Sequence, residues 1–283
     1  MQKEQHDRET GRPRLRVIVL AAGIGSRLRP HTENLPKAMI PLPDGQSLLG
    51  HTLSVLVKDP RVSDIVIVGG YEYDVLRRYV ETQWNGRCRT VFNPDYAAKG
   101  PVYSVLRGLE QCPAGCFVAI MNGDTWFSEP ALRLVTRMAA DTVGSTLLFG
   151  LRATELAADD IRILADNGQI QRVGKGIDGA QMISAGCCLL PPRAAARLHA
   201  ILTSIEAGRH PEVKTWHEAL NHLLEAGEPI EFRSLPRNEW QEIDDASDLV
   251  KLARRMGVRR KAGGDVSRSE PASLTDLGEE ALA

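Results

Sequence analysis

The sequence predicts one α/β domain, a mostly parallel but mixed sheet flanked by helices, and three observations carry that expectation. In the first half, short β-branched runs alternate with amphipathic segments of helical length. The runs are continuous and apolar, as strands buried on both faces of a parallel sheet are. Small or turn-forming residues follow the ends of three of them: Ala21 to Gly25, Gly69-Gly70 and Asn122-Gly123-Asp124. Ligands of open α/β sheets bind at such carboxyl ends.

Taken in order, Val17–Leu20 reads as a strand, Ser47–Leu56 as an amphipathic helix and Asp64–Val68 as a second strand. Tyr73–Glu81 reads as a helix, Thr90–Phe92 as a strand, Val102–Gln111 as a helix and Cys116–Met121 as a fourth strand. The second half breaks the rhythm. Strands are expected at Ser145–Leu151, Gln169–Val173, Met182–Leu190 and Ile230–Leu235, and helices at Ala194–Ala207, Val213–Ala226 and Ala246–Arg255. The later strands are expected to build the acceptor side of the same domain, which runs over 14–258. Residues 1–13, charged, and 259–283, rich in Gly, Ser, Glu and Ala without periodicity, read as disordered tails.

Composition narrows the function classes. At 283 residues, 43% hydrophobic and 25% charged, the chain can bury a sizeable core. Its net charge of −1 offers no basic field for nucleic acid. No apolar run approaches the roughly 18 residues of a membrane span, and Met1 to Arg14 is too polar for a secretory signal. The five cysteines have no paired C-x-x-C spacing, which argues against zinc or a disulfide framework and for a reducing cytoplasm. A homodimer is left open.

The segment from Leu20 to Lys37 carries most of the chemistry. After the apolar run comes a loop of small residues, Ala21, Ala22, Gly23, Gly25 and Ser26, with Arg27, Arg29 and, after a turn, Lys37. Small side chains let backbone N–H groups close around an anion, and the cations supply the opposing charge, which suits a triphosphate. The segment is not a Walker A loop, and Leu28 stands where a dinucleotide fingerprint would have its third Gly. The plain alternative is a strand-to-helix turn with two solvated arginines.

This segment closely resembles the signature LAAGxGxRLxPxTxxxPK of the nucleotidyltransferases that activate sugar phosphates and alcohol phosphates. The resemblance covers roughly residues 15–255 and implies a Rossmann-like, GT-A-like nucleotidyltransferase domain. It implies nucleotide contacts from Leu20, Ala21, Ala22, Gly23, Ile24, Gly25 and Ser26 and catalytic roles for Arg27, on the departing phosphates, and Lys37, with Arg29 left as a surface residue. It gives Asp124, at the end of a buried strand, and Asp244, in Glu242-Ile243-Asp244-Asp245, the metal, with Mg²⁺ as cofactor. Taken alone, Asp124 could equally cap a helix or turn. Glu242 is assigned to the substrate, Asp245 to capping the last helix and Asp248 to a solvated first-turn charge.

Within this family the chain is most similar to the choline-phosphate branch, which includes cytidylyltransferases of aminoethylphosphonate and other phosphonates. Gly70, Tyr71, Pro101 and Ser104 fall where that branch lines its base pocket, although Gly100-Pro101 replaces an Asn pair. The Glu-Lys-Pro segment of hexose-1-phosphate enzymes is missing, and Lys175 is the nearest candidate for a lysine on the acceptor. Trp216, Trp126 and Trp240, with Glu218, could cage an amine through cation–π contacts, or simply pack the core. His217 and His222, five apart, do not share a helical face and read as surface histidines. The resemblance thus implies Mg²⁺-dependent transfer of CMP from CTP to a small phosphate or phosphonate. The alternatives are a uridylyl-, thymidylyl- or guanylyltransferase of a sugar 1-phosphate, or an inactive copy with a regulatory role.

Overall fold

The computed structural model describes residues 15–141, 144–153 and 155–257, so the expected tails at 1–13 and 259–283 lie outside the described residues. A nine-stranded sheet runs through the molecule. Its parallel half comprises β1 (Leu15–Ala21), β2 (Val62–Gly69), β3 (Cys88–Phe92) and β4 (Phe117–Asn122), in the order β3-β2-β1-β4. The helices of this half are α1 (Leu48–Leu56), α2 (Tyr73–Gln83), the single turn α3 (Tyr96–Lys99) and α4 (Pro101–Leu109).

Beyond β4 the sheet turns mixed. β9 (Met182–Leu190) lies antiparallel to both β4 and β6 (Thr146–Arg152), and β10 (Ile230–Ser234) runs parallel to β6. The far edge is the hairpin of β7 (Arg162–Asp166) and β8 (Gln169–Gly174). Helices α5 (Glu129–Asp141), α6 (Pro192–Glu206), α7 (Trp216–Glu225) and α8 (Ala246–Arg255) complete the layers, and none of the described helices is long and apolar enough to cross a membrane.

Strand alternation divides the core into two layers. Val17 and Val19 of β1 join Ile65, Ile67, Ala119 and Met121 on the face covered by α1, α2 and α5. Ile18 points the other way and joins Val66, Val68, Val118 and Ile120 against α4, α6 and α7. Because both faces are covered, β1 and β2 read as unbroken apolar runs rather than as alternating ones. Most expected elements stand, with ends moved by one to three residues. The helix expected from Val213 begins only at Trp216, where Thr215 and Glu218 form a capping box.

Five of these elements have no counterpart in the expectations: the single turn α3, β5 (Thr125–Phe127), β7, α5 and β11 (Trp240–Glu242). The hairpin that contains β7 is signalled by Asn167-Gly168, both at positive φ, the residue pair that two-residue hairpin turns demand. Strands β5 and β11 are three residues each and exist because they pair with one another. Their ribbon positions the site: beyond its paired residues Ile243 N donates to Asp124 O at 2.9 Å, which brings the Glu242–Asp244 segment beside the end of β4.

Candidate active site

A cleft of about 790 Å³ opens at the carboxyl ends of β1 and β4. Leu20, Ala22, Gly23, Arg27 and Lys37 line one side, Asp124, Glu242 and Asp244 the floor, and Lys175, Ser184, Trp216 and His217 the opposite wall.

The loop that follows β1 is shaped by contacts that its sequence explains. Gly25 takes a left-handed backbone (φ 66°), and a Cβ there would lie 2.9 Å from Lys37 Cβ. Thr32, fully buried, donates from Oγ1 to Gly25 O at 2.7 Å, and Leu28 N closes the turn on the same carbonyl at 2.9 Å. Leu28 packs with Ile40, Leu42 and Leu48, so the loop is anchored while Gly23, Ser26 and Arg27 stay exposed. Gly123 is equally constrained: a Cβ there would meet Leu20 O at 2.5 Å. Asp124 therefore leaves the sheet directly beside the first loop.

Lys37, nearly buried, places its Nζ 2.7 Å from Asp124 Oδ2 and 2.6 Å from Asp244 Oδ1. Arg27 Nη2 lies 3.0 Å from the same Asp244 Oδ1, and Arg27 Nη1 3.7 Å from Asp159. Burial alone would lower the Lys37 pKa, but Asp124 and Asp244 outweigh it and hold the ammonium above its ordinary value. Glu242, expected at the substrate, also stands beside the two aspartates: oxygens of Asp124, Glu242 and Asp244 lie within 4.8 Å of one another. Glu242 keeps an open edge to the cleft, yet desolvation, followed by the charges of Asp124 and Asp244, pushes its carboxyl up to about 8. A third anion here is costly without a cation.

Asp245 caps α8 as expected, but Asp248 is no solvated charge. Its Oδ2 accepts from Asp244 N at 2.9 Å and from Asp245 N at 3.1 Å, which fixes the backbone that presents Asp244.

Arg27 and Arg29 divide as expected in their surroundings, since Arg27 lines the cleft beside Asp244 whereas Arg29 is exposed outside it. Arg27→Ala is expected to lower turnover by roughly 10²-fold, the scale of losing one donor to a developing phosphate charge, and Arg29→Ala by less than about 3-fold. Equal losses in the two variants, measured as kcat, would remove Arg27 from the phosphate site.

The wall opposite the loop corrects two expectations. Trp216 and Trp240 line the cleft and Trp126 does not, so the three form no common cage, and each belongs to a different apolar cluster. Trp216 is 1% exposed and donates from Nε1 to Asn122 Oδ1 at 3.1 Å. His217 is buried rather than on the surface, stacked on Trp216, with Nε2 2.9 Å from Ser184 Oγ. Ser184 Oγ also accepts from Gly186 N at 3.0 Å, and burial pulls the His217 pKa down to about 3.

That burial has a consequence for stability. The unfolded chain protonates His217 near ~6.5 and the folded one only near 3, so the unfolded state binds more protons between these values. Stability should therefore fall as pH drops below ~6.5, by about 1.4 kcal/mol per pH unit from this residue. His217→Gln should flatten that acid limb by one proton's worth in denaturant melts between pH 6.5 and 4.5. An unchanged slope would contradict the buried, neutral imidazole.

Of the residues expected at the base, two line the cleft and two do not. Pro101 and Ser104 line it together with Tyr96 and Gly100. The Ser104 hydroxyl accepts from Asn93 Nδ2 at 3.0 Å, a contact buried under α4. Gly70 and Tyr71 brace the loop from behind: Tyr71 N donates to Ala22 O at 3.2 Å, its hydroxyl to Glu33 O, and Gly70 packs under Tyr96. Residues that the sequence reading did not single out also face the cleft, among them Asp159, Ser184 and Arg237. They come from loops and strand β9, where nothing in spacing marks them.

Residues 17–178 match the family model of the MobA-like NTP transferase domain. The chain belongs to this family. The MobA-like NTP transferase match takes in Arg27, Lys37 and Asp124 and ends before Asp244, which the β5–β11 ribbon brings back to the site. A CMP-5'-(3-aminopropyl)phosphonate synthase of Streptomyces rubellomurinus is 27% identical over 83% of this chain and 37% of its own length. A bifunctional IPC transferase and DIPP synthase of Rubrobacter xylanophilus is 26% identical over 92% of this chain and 56% of its own. The chain thus spans between about a third and just over half of these curated relatives. The solved CTP:phosphocholine cytidylyltransferase of Streptococcus pneumoniae superposes with a TM-score of 0.69 at 22% identity, covering 86% of this chain and 99% of that one, a likeness of fold.

Proposed function

We propose that this chain transfers CMP from CTP to a small phosphate or phosphonate and releases pyrophosphate. The observation that carries the reading is the convergence of Lys37, Arg27, Asp124 and Asp244 under the small-residue loop at the end of β1. The names of two relatives, a CMP-aminopropylphosphonate synthase and a phosphocholine cytidylyltransferase, support CTP and this acceptor class.

An acceptor oxygen attacks the α-phosphorus, the bond from α-phosphorus to the β-bridging oxygen breaks, and pyrophosphate leaves with that electron pair. A phosphate monoester loses its second proton near ~6 and is already nucleophilic at neutral pH, so no side chain need remove a proton. The protein's work is to position two anions and neutralise their charge. Arg27, exposed at the cleft mouth, is placed for the departing phosphates, and Lys37 for the α-phosphate or the acceptor.

Mg²⁺ fits the donor set, because three clustered carboxylates offer the hard oxygen ligands it selects. Asp124 and Asp244 would hold it, with Glu242 adjacent, and when bound it supplies positive charge to phosphate oxygens. Lys37 then has no need to neutralise the aspartates and can serve the substrate. Incubation with CTP, Mg²⁺ and a panel of small phosphates and phosphonates, followed by phosphorus NMR, should reveal pyrophosphate and a new phosphoanhydride signal. Inorganic phosphate as the only product would contradict transfer.

A further inference from the structure

A second cluster of metal-binding side chains lies outside the cleft, on the far side of α7. His210 and Glu212, in the loop that precedes the helix, meet His222 two turns into it, and one donor atom from each lies within 4.8 Å of the others. The geometry points to a binding site for a borderline transition ion of the Zn²⁺ type, held by His210, Glu212 and His222.

Glu212 Oε1 is 3.5 Å from His210 Nδ1 and 3.9 Å from His222 Nε2. Ligands around a tetrahedral Zn²⁺ at ~2.0–2.1 Å stand roughly 3.3 Å apart, so the side chains need close by well under an ångström on these two edges. The two rings already face each other with centroids 4.3 Å apart. His222 has its second nitrogen occupied: Nδ1 lies 2.9 Å from Glu225 Oε2. That carboxylate fixes the ring and the tautomer with Nε2 free, which is how histidine ligands of zinc are commonly oriented. Two imidazoles and a single carboxylate select Zn²⁺-like ions over Mg²⁺, which prefers all-oxygen sites such as the three carboxylates of the cleft. The site faces a surface groove that His222, Glu212 and Glu225 line, leaving room for water as a further ligand.

The position gives such an ion a role. It would tie the 208–215 loop to α7, whose N-terminal residues Trp216 and His217 form the cleft wall. The inference is independent of the reaction proposed above.

The test is calorimetric titration of the tag-free full chain with ZnCl₂ in excess MgCl₂. One Zn²⁺ per chain is expected, at micromolar or tighter affinity. His222→Ala and His210→Ala should each weaken it at least ~10-fold, and Glu225→Gln about 10-fold, the scale for loss of an outer carboxylate. Asp124→Asn should leave it unchanged. Zn²⁺ should also slow proteolysis within the 208–215 loop in the wild type and not in His222→Ala. Affinity that survives His222→Ala, affinity lost in Asp124→Asn, or binding only at millimolar Zn²⁺ would each overturn the assignment.

Discussion

Replacing Asp124 or Asp244 with Asn is expected to lower turnover by roughly 10³-fold or more, with the fold intact. Each substitution keeps the side-chain shape and removes one of the two anions that flank the Lys37 ammonium at 2.7 and 2.6 Å. Neither carboxylate contributes to the apolar core, so circular dichroism and thermal melting should stay close to wild type. The loss should appear in kcat at saturating CTP and Mg²⁺. Activity within 10-fold of wild type in either variant would remove that residue from the metal site.

Lys37→Met is expected to act twice. In turnover it should cost roughly 10²–10³-fold, because it removes a preorganised cation from the phosphate site. In chelator it should also destabilise the fold, since Asp124 and Asp244 would then face each other without the ammonium. Removing one partner of a fully buried pair costs about 3–5 kcal/mol, and the aspartates here retain side-chain exposures of 28% and 22%, so about 1–3 kcal/mol is expected. Mg²⁺ should restore most of that stability without restoring activity. Equal stability of Lys37→Met and wild type in chelator would mean that the ammonium does not bridge the two carboxylates.

How much of this was legible in the sequence depends on how local each signal is. The parallel half was, because β1, β2 and β4 are apolar runs covered on both faces and the small-residue loop follows β1 directly, so residue type and spacing suffice. Asp124 and Asp244 rested on resemblance, since their meeting depends on β5 and β11, two three-residue strands that only tertiary pairing creates. The role of Asp248 was hidden for a related reason: a first-turn Asp looks the same whether it faces water or the N–H of Asp244. Spacing leaves His217 and His222 on the surface, which holds for His222 and not for His217. Their partners, Ser184 for His217 and Glu225 with His210 for His222, come from a strand, the same helix and a loop. The tryptophans failed as a cage because each is large enough to anchor its own cluster, and burial took precedence over convergence.

Selectivity for the base separates a cytidylyltransferase from the uridylyl-, thymidylyl- and guanylyltransferase alternatives. Cytosine donates from its exocyclic position where uracil accepts, so a pocket wall of backbone carbonyls favours CTP. Ala22 lines the cleft, and its carbonyl, which accepts from Tyr71 N, has capacity for a second hydrogen bond. A uracil there would set its own exocyclic oxygen against a carbonyl and leave that oxygen without a donor, at about 1–3 kcal/mol, roughly 5- to 150-fold in kcat/KM. The decisive measurement is the initial rate of pyrophosphate release with CTP, UTP, dTTP and GTP, at fixed Mg²⁺ and with one accepted phosphate or phosphonate. CTP is expected to exceed every other nucleotide by at least that lower factor. A clear preference for UTP, dTTP or GTP would contradict it.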